Sequence, residues 1–250
     1  MNAKKTFIQA AFGTVSHWNP RRMEECAMLI RWLGTEVGEQ ILDIGCGDGY
    51  YDLLIVRSGA RVTGIDLHRR RLARARRLER PGGLEFHEMD AHEMRFADCR
   101  FDKAVCFCVM EHLADDERVL GEVARVLRPG GLFVFSADSL SNPGLTEAER
   151  RRHRQRYGVR TFYTVDSVRE KLDRAGFTLE DWRYILTTPQ SLALIRMSWR
   201  LDRLPKAMAP ARLLGYLALL PLRWFVSRWI EPRSRDAPAG LTLLVRSRKT

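Results

Sequence analysis

The stretch Ile41-Leu42-Asp43-Ile44-Gly45-Cys46-Gly47-Asp48-Gly49 constrains the fold more than any other part of the chain. A buried-strand pattern runs straight into glycines at alternate positions, and a helix is expected from about Tyr50. Glycines there let the backbone turn tightly and approach a ligand with no Cβ in the way. Asp66 follows twenty-one positions after Gly45, at the end of a second strand pattern. A carboxylate so placed can accept hydrogen bonds from both hydroxyls of a ribose. Together these features put a nucleoside-containing ligand over the carboxyl ends of the first two strands. The dinucleotide fingerprint is not met, because Tyr50 stands where its third glycine belongs.

Helix and strand patterns alternate through most of the chain, the mark of a parallel sheet with helices on both faces. Spacing predicts a helix over Pro20–Leu33 and strands over Gln40–Ile44, 61–65, 84–87, Phe101–Phe107, 132–136, Phe177–Ile185 and 241–246. An arginine-rich helix is expected to run to about Arg80, where Pro81-Gly82-Gly83 stops it. Asp115 or Asp116 caps a helix ending near Leu127, Arg128-Pro129-Gly130-Gly131 makes a turn, and a further helix covers 165–175. We expect one domain. Its parts are a helical cap (1–36), a ligand-binding core (37–140), the rest of the sheet (141–185 and 239–250) and a helical insertion (186–238).

The pattern Asp43-x-Gly45-x-Gly47-x-Gly49 resembles motif I of class I S-adenosylmethionine-dependent methyltransferases, in the subgroup that includes quinone and small-molecule enzymes. The resemblance covers roughly residues 39–135. It takes in Val62-Thr63-Gly64-Ile65-Asp66, Met89-Asp90-Ala91, Phe101-Asp102, Glu111-His112-Leu113 and Leu127-Arg128-Pro129-Gly130-Gly131, in that order. It implies an α/β fold: a Rossmann-like, doubly wound, seven-stranded sheet with an antiparallel last strand, here with a helical insertion before that strand. It implies S-adenosyl-L-methionine as cofactor and methyl transfer as activity. By the same resemblance Gly45 and Gly47, with Cys46 between them, face the methionine part of the cofactor, and Asp66 the ribose. Leu67 packs on adenine, Asp90 bonds its amino group beside Ala91, and Phe107 lies near the sulfonium. Asp43 organises the glycine turn. Trp18 and Arg22 precede the motif, where the family often places a residue that closes over the cofactor.

A sulfonium is already a good electrophile, so such an enzyme mainly aligns the nucleophile and excludes water. A general base is needed only for a hydroxyl, a protonated amine or an acidic carbon. The candidates are His112, a position commonly bonded to backbone in this family, and Asp138, just past the fifth strand. Asp138-Ser139 departs from the Asp-Asn pair of metal-dependent catechol-type enzymes, so no metal site is expected. The substrate side should draw on the amino-terminal helix, residues 139–161 and the insertion, with Tyr157, Tyr163 and Trp199 as candidate contacts. The basic run from Arg150 to Arg156 reads either as a solvated face or as a grip on an anionic group. Cys108-Val109-Met110-Glu111 stands where amino-methylating nucleic-acid enzymes carry a Pro-Pro-aromatic motif, and the chain has no Pro-Cys pair of the kind cytosine-C5 enzymes use. A small, lipophilic acceptor is therefore expected, and nucleic acid is not. RNA or protein as acceptor, and a non-catalytic cofactor-binding interaction protein, are the alternatives.

The insertion concentrates charge and tryptophan. The whole chain has a formal net charge of +11, and Arg196, Arg200 and Arg203 recur at helical spacing opposite Leu194, Met197, Leu201 and Leu204. That is the pattern of a helix lying in an interface. The apolar run 213–222 is bracketed by arginines and interrupted by Pro221, and it is too short to cross a bilayer. Contact with an anionic membrane surface is expected for this insertion, with a cap or homodimer contact as the alternative. Five cysteines without zinc spacing suggest small buried hydrophobes in a reducing compartment. The amino terminus lacks a secretory pattern, so a cytoplasmic protein is expected, peripheral on the membrane where the insertion touches it.

Overall fold

The computed structural model describes residues 20–231 and 237–250. Five parallel strands, β1 (Gln40–Ile44), β2 (Arg61–Asp66), β3 (Leu84–Glu88), β4 (Phe101–Phe107) and β5 (Leu127–Asp138), form most of one sheet. Its last two strands are β6 (Phe177–Ile185) and β7 (Thr242–Lys249). The order is β3-β2-β1-β4-β5-β7-β6, with β7 antiparallel to both its neighbours. This is the Rossmann-like sheet that the alternation and the motif imply. Strands buried on both faces read as continuous apolar runs, and β1 is such a strand, buried from Ile41 to Ile44. Strand order reverses between β1 and β4, which opens a crevice at their carboxyl ends.

Around the sheet lie α1 (Pro20–Leu33), α2 (Asp52–Ile55), α3 (Arg69–Ala75), α4 (Asp116–Val126), α5 (Glu147–Tyr157), α6 (Val165–Arg174), α7 (Pro189–Leu201) and α8 (Ala209–Phe225). Side-chain caps start several of the long helices. Asp115 caps α4 by accepting from the Arg118 amide at 2.9 Å, and Thr146 with Glu149 forms a capping box on α5. Buried Val119, Leu120, Val123 and Val126 give α4 one apolar stripe against the sheet. Leu29, Leu33, Ile55 and Leu72 fill the layer that α1, α2 and α3 cover.

Three expectations change. The helix from Tyr50 shrinks to α2 and a 3-10 turn, because Gly59 in the left-handed region ends it at once. The arginine-rich helix ends at Ala75, and another 3-10 turn follows. The Arg128–Gly131 turn is a bulge inside β5: Leu127 already pairs with Phe101, and the register slips before Leu132 meets Lys103.

Packing explains the third glycine of the turn. A Cβ at Gly49, whose φ is +76°, would stand 2.6 Å from Phe86 Cζ and 3.2 Å from Ala75 Cβ. Gly49→Ala should therefore overpack this layer at a strained backbone position, a loss of about 2–4 kcal/mol. Urea unfolding checks this: the midpoint should fall with an unchanged slope.

Candidate functional site

A cavity of about 1160 Å³ runs along the carboxyl ends of β1, β2 and β4 and on toward α1, α5, α7 and α8. Pockets for one small ligand span roughly 300–1,000 Å³, so this one has room for two molecules side by side.

The end over β1 and β2 is built by the glycine turn. The amides of Gly45 and Cys46 both donate to Ile65 O, at 2.8 and 3.0 Å. The Gly47 amide donates to Asp66 Oδ2 at 2.8 Å and that of His68 to Oδ1 at 2.6 Å, which fixes the carboxylate while each oxygen keeps a further lone pair. A Cβ at Gly47 would meet nothing nearer than Arg71 Cδ at 3.9 Å, so the space above it is cavity. Gly45 answers a different need, since a Cβ there would lie 2.4 Å from Val109 Cγ2. Leu67 lines the cavity while 61% exposed, an apolar side chain with no cover. Asp90 is held by the backbone and ring nitrogens of His92 at 2.9 and 2.7 Å, and these bonds keep its carboxyl below the usual range. Ala91 lines the wall beside it, and Phe107 packs on Tyr51 with ring centres 4.8 Å apart.

Asp43 is buried at this end, and its Oδ1 has no hydrogen-bond partner among the described residues. Burial and the adjacent Asp52 push its carboxyl well above the usual range.

The other end is a buried polar network. Glu25 accepts from Ser136 Oγ and, at 2.9 Å, from Cys108 Sγ, and it lies 3.5 Å from Arg22. Arg22 lines the cavity. Glu111 is 1% exposed, and burial followed by the charge of Asp138 drives its carboxyl upward. His112 places Nδ1 3.4 Å from Gly158 O and Nε2 3.9 Å from Glu111, and burial lowers its pKa. Asp138 accepts from His153 Nε2 at 2.5 Å, and both side chains are buried. The His153 ring centre sits 4.6 Å from that of Tyr157 and 5.7 Å from that of Trp199, and all three residues line the cavity. Donor atoms of Cys108, Glu111 and Asp138 lie within 4.8 Å of one another. The thiol is spent on Glu25 and Asp138 on His153, so the trio reads as a hydrogen-bond network rather than a metal centre.

The structure thus gathers Asp43, Gly45, Cys46, Gly47, Asp66, Leu67, Asp90, Ala91, Phe107, Arg22, His112, Asp138, Tyr157 and Trp199 around one cavity. Tyr163 is not among them. It is 1% exposed, and its hydroxyl donates to Asp116 and lies 3.2 Å from Met110 O in the core below α4. An aromatic beside arginines had suggested a surface contact, but the ring is needed to fill the space under α6. Trp18 lies outside the described residues. Sequence reasoning missed His153, Tyr51 and Arg212. The signal for His153 was present, since an imidazole costs less to bury than the guanidinium groups around it in Arg150–Arg156. The basic run itself divides: Arg154 stacks on Phe162, Arg156 bonds Asp202 O, and Arg151 and Arg152 are exposed.

A family model described as a methyltransferase domain matches residues 42–135. A ubiquinone biosynthesis O-methyltransferase of Alkalilimnicola ehrlichii is 36% identical over 121 residues, 47% of this chain and 48% of that protein. A demethylmenaquinone methyltransferase of Tropheryma whipplei is 28% identical over 201 residues, 72% of this chain and 80% of that one. Among solved structures, the cyclase SpnF superposes with a TM-score of 0.65 at 21% identity, covering 90% of this chain and 80% of its own. That likeness concerns the fold alone. With the glycine turn, Asp66 and the strand order, residues 42–135 are similar to the methyltransferase domain of these relatives. The chain spans about half the length of the first curated relatives it matches.

Buried acids at the site should show in the pH dependence of stability. Asp43, Asp52 and Glu111 hold protons in the folded chain at pH values where the unfolded chain has lost them. The folded state then binds more protons, so stability falls as pH rises from the ordinary carboxylate range toward the raised folded values. Urea midpoints should drop from pH 5 to pH 9, and Glu111→Gln should flatten that slope. An unchanged slope would remove Glu111 from the account.

Proposed function

We propose that the protein transfers a methyl group from S-adenosyl-L-methionine to a small, lipophilic, quinone-type acceptor by in-line displacement. One observation carries this reading: a single cavity joins the motif I turn and Asp66 to an aromatic and polar chamber under α5, α7 and α8. The residues fit the cofactor. Asp66 is preset for two ribose hydroxyls, uncovered Leu67 suits an adenine face, and the unpartnered Asp43 Oδ1 suits the ammonium of the methionine part. Relatives named for ubiquinone biosynthesis and demethylmenaquinone support the acceptor class.

S-adenosylhomocysteine should raise the melting temperature, as a ligand of the folded state must, and NAD should not. Asp66→Ala removes charge-assisted bonds worth about 1.5–3 kcal/mol, a roughly tenfold to hundredfold loss of affinity. Gly47→Val should weaken binding by filling the cradle. Stabilisation by NAD in place of S-adenosylhomocysteine would overturn the reading.

A second part of the proposal is that the protein works at an anionic membrane surface, with α8 as the contact. No helix among the described residues is long and apolar enough to cross a membrane. The contact helix differs from the one the sequence pattern suggested. α7 turns Ser191, Leu192, Ile195 and Ser198 inward, and Arg196 is tied to Glu149 at 2.7 Å. α8 runs on through Pro221, whose missing N–H falls on an exposed position where a lost bond costs little. Its polarity is inverted. Arg223 is buried against Glu24 and Ser191, and Tyr216 bonds Asp202, while Leu214, Leu222, Trp224, Phe225 and Trp229 are more than half exposed. Arg228 stacks on Trp229 at 5.6 Å, a pairing suited to the headgroup boundary. Vesicles of phosphatidylglycerol should float the protein and phosphatidylcholine vesicles should not. The triple change Leu214→Ser, Trp224→Ser and Trp229→Ser should abolish flotation with S-adenosylhomocysteine binding intact. A protein that ignores both vesicles and sediments as a dimer would make α8 a subunit contact.

A further inference from the structure

We infer that His153, oriented by Asp138, is the general base of the site, and that the acceptor therefore presents an aromatic hydroxyl. The inference rests on the methyl-transfer reading and sharpens its acceptor class.

Three observations point to it. First, the Asp138 carboxylate binds His153 Nε2 at 2.5 Å. That contact fixes the tautomer with hydrogen on Nε2 and the lone pair on Nδ1. Second, His153 is 4% exposed and lines the cavity, yet Nδ1 is buried with no hydrogen-bond partner among the described residues. A buried acceptor left unmade costs about 1–3 kcal/mol, and a ligand hydroxyl would satisfy it. Third, Tyr157 and Trp199 flank the imidazole and also line the cavity. They put two further aromatic rings beside the imidazole, tilted to it by 48° and 55°, for a planar ring to pack against.

The alternatives are spent. His112 has its Nδ1 near a backbone carbonyl, and among the described residues no carboxylate lies closer to its ring nitrogens than Glu111 at 3.9 Å. Asp138 already holds His153, so it acts through the ring as a positioning residue. Other charged and titratable groups share the chamber: Glu111 and His112 from the turn after β4, Arg22 from α1, Arg212 from α8 and Tyr157 one turn along α5.

In the step, the hydroxyl proton passes to His153 Nδ1 as an oxygen lone pair forms the bond to the methyl carbon. The carbon–sulfur bond breaks, its electron pair stays on sulfur, and the positive charge of the sulfonium reappears as an imidazolium facing Asp138. Solvent takes the proton after product leaves.

The probe is 4-nitrocatechol, whose phenolate absorbs at longer wavelength than the phenol. With S-adenosylhomocysteine present, and at a pH where the free probe is mostly neutral, the wild-type protein should bind it as phenolate. His153→Gln should lose that absorbance while its affinity for S-adenosylhomocysteine stays within about twofold. With labelled S-adenosylmethionine, His153→Gln should lower kcat on the probe by about 100- to 10,000-fold and abolish the rising limb of the pH profile. It should leave KM for the cofactor unchanged. Retention of the phenolate signal or of the rising limb by His153→Gln overturns the assignment. So does a wild-type protein that binds the probe only as neutral phenol, a result that needs no variant to fold. A protein that binds S-adenosylhomocysteine but not the probe overturns the aromatic-hydroxyl acceptor and leaves the methyltransferase reading standing. Failure to bind S-adenosylhomocysteine overturns that reading itself.

Discussion

Two amides, of Gly45 and Cys46, converge on the carbonyl of Ile65. This fork ties the turn after β1 to the last residues of β2, and the Gly47 amide extends the tie to the Asp66 carboxylate. The turn must rise sharply to make all three bonds, which is why Gly45, Gly47 and Gly49 all have positive φ. Their side-chain-free surfaces then serve different neighbours: Val109 beneath Gly45, the cavity above Gly47, and Phe86 with Ala75 against Gly49. A single local arrangement thus sets the β1–β2 pairing, the layer under α3 and the cradle of the site.

The acceptor end is assembled from far-separated segments held by buried charge. Arg223 of α8 reaches Glu24 of α1 and Ser191 of α7. Glu231 accepts from Thr187, Thr188 and Ser191 at the start of α7. A buried ion pair is weak evidence for stability, because desolvation offsets its attraction. Its geometry is specific, however, and that is the property needed here. Polar pins on the inner side fix how α8 lies over the chamber and leave its apolar side to face outward.

Legibility in the sequence followed the range of the interactions. The strands, the glycine turn and Asp66 were readable because each carries a local sequence pattern, and the boundaries of β1, β4 and β6 match their patterns. The lengths of α2 and α3 were not, since tertiary packing decides where short helices stop. For α7, spacing selected Leu194, Met197 and Leu201 as the apolar face, but the contact with the domain buries Ser191, Ile195 and Ser198 instead. Small polar residues let helices approach closely. The same holds for Gly215 of α8, where a Cβ would lie 2.6 Å from Leu201. Tyr163, a candidate site contact, went to the core, and His153, which no pattern singled out, went to the site. Both depend on Asp116 and Asp138, which lie 47 and 15 residues away.

Electrostatics joins the two ends of the cavity. Asp43 and Asp52 at one end, and Glu111 at the other, are held protonated by burial and by neighbouring acids. Buried acids of this kind favour a positively charged ligand. A cationic ligand supplies that charge, and the acids it meets can ionise against it, so binding is coupled to proton release. At the acceptor end the charge moves onto His153 and faces Asp138, whose contact with the ring is already made before any ligand arrives. Preset partners of this sort need no rearrangement as charge develops, which is the condition under which an enclosed polar site lowers a barrier.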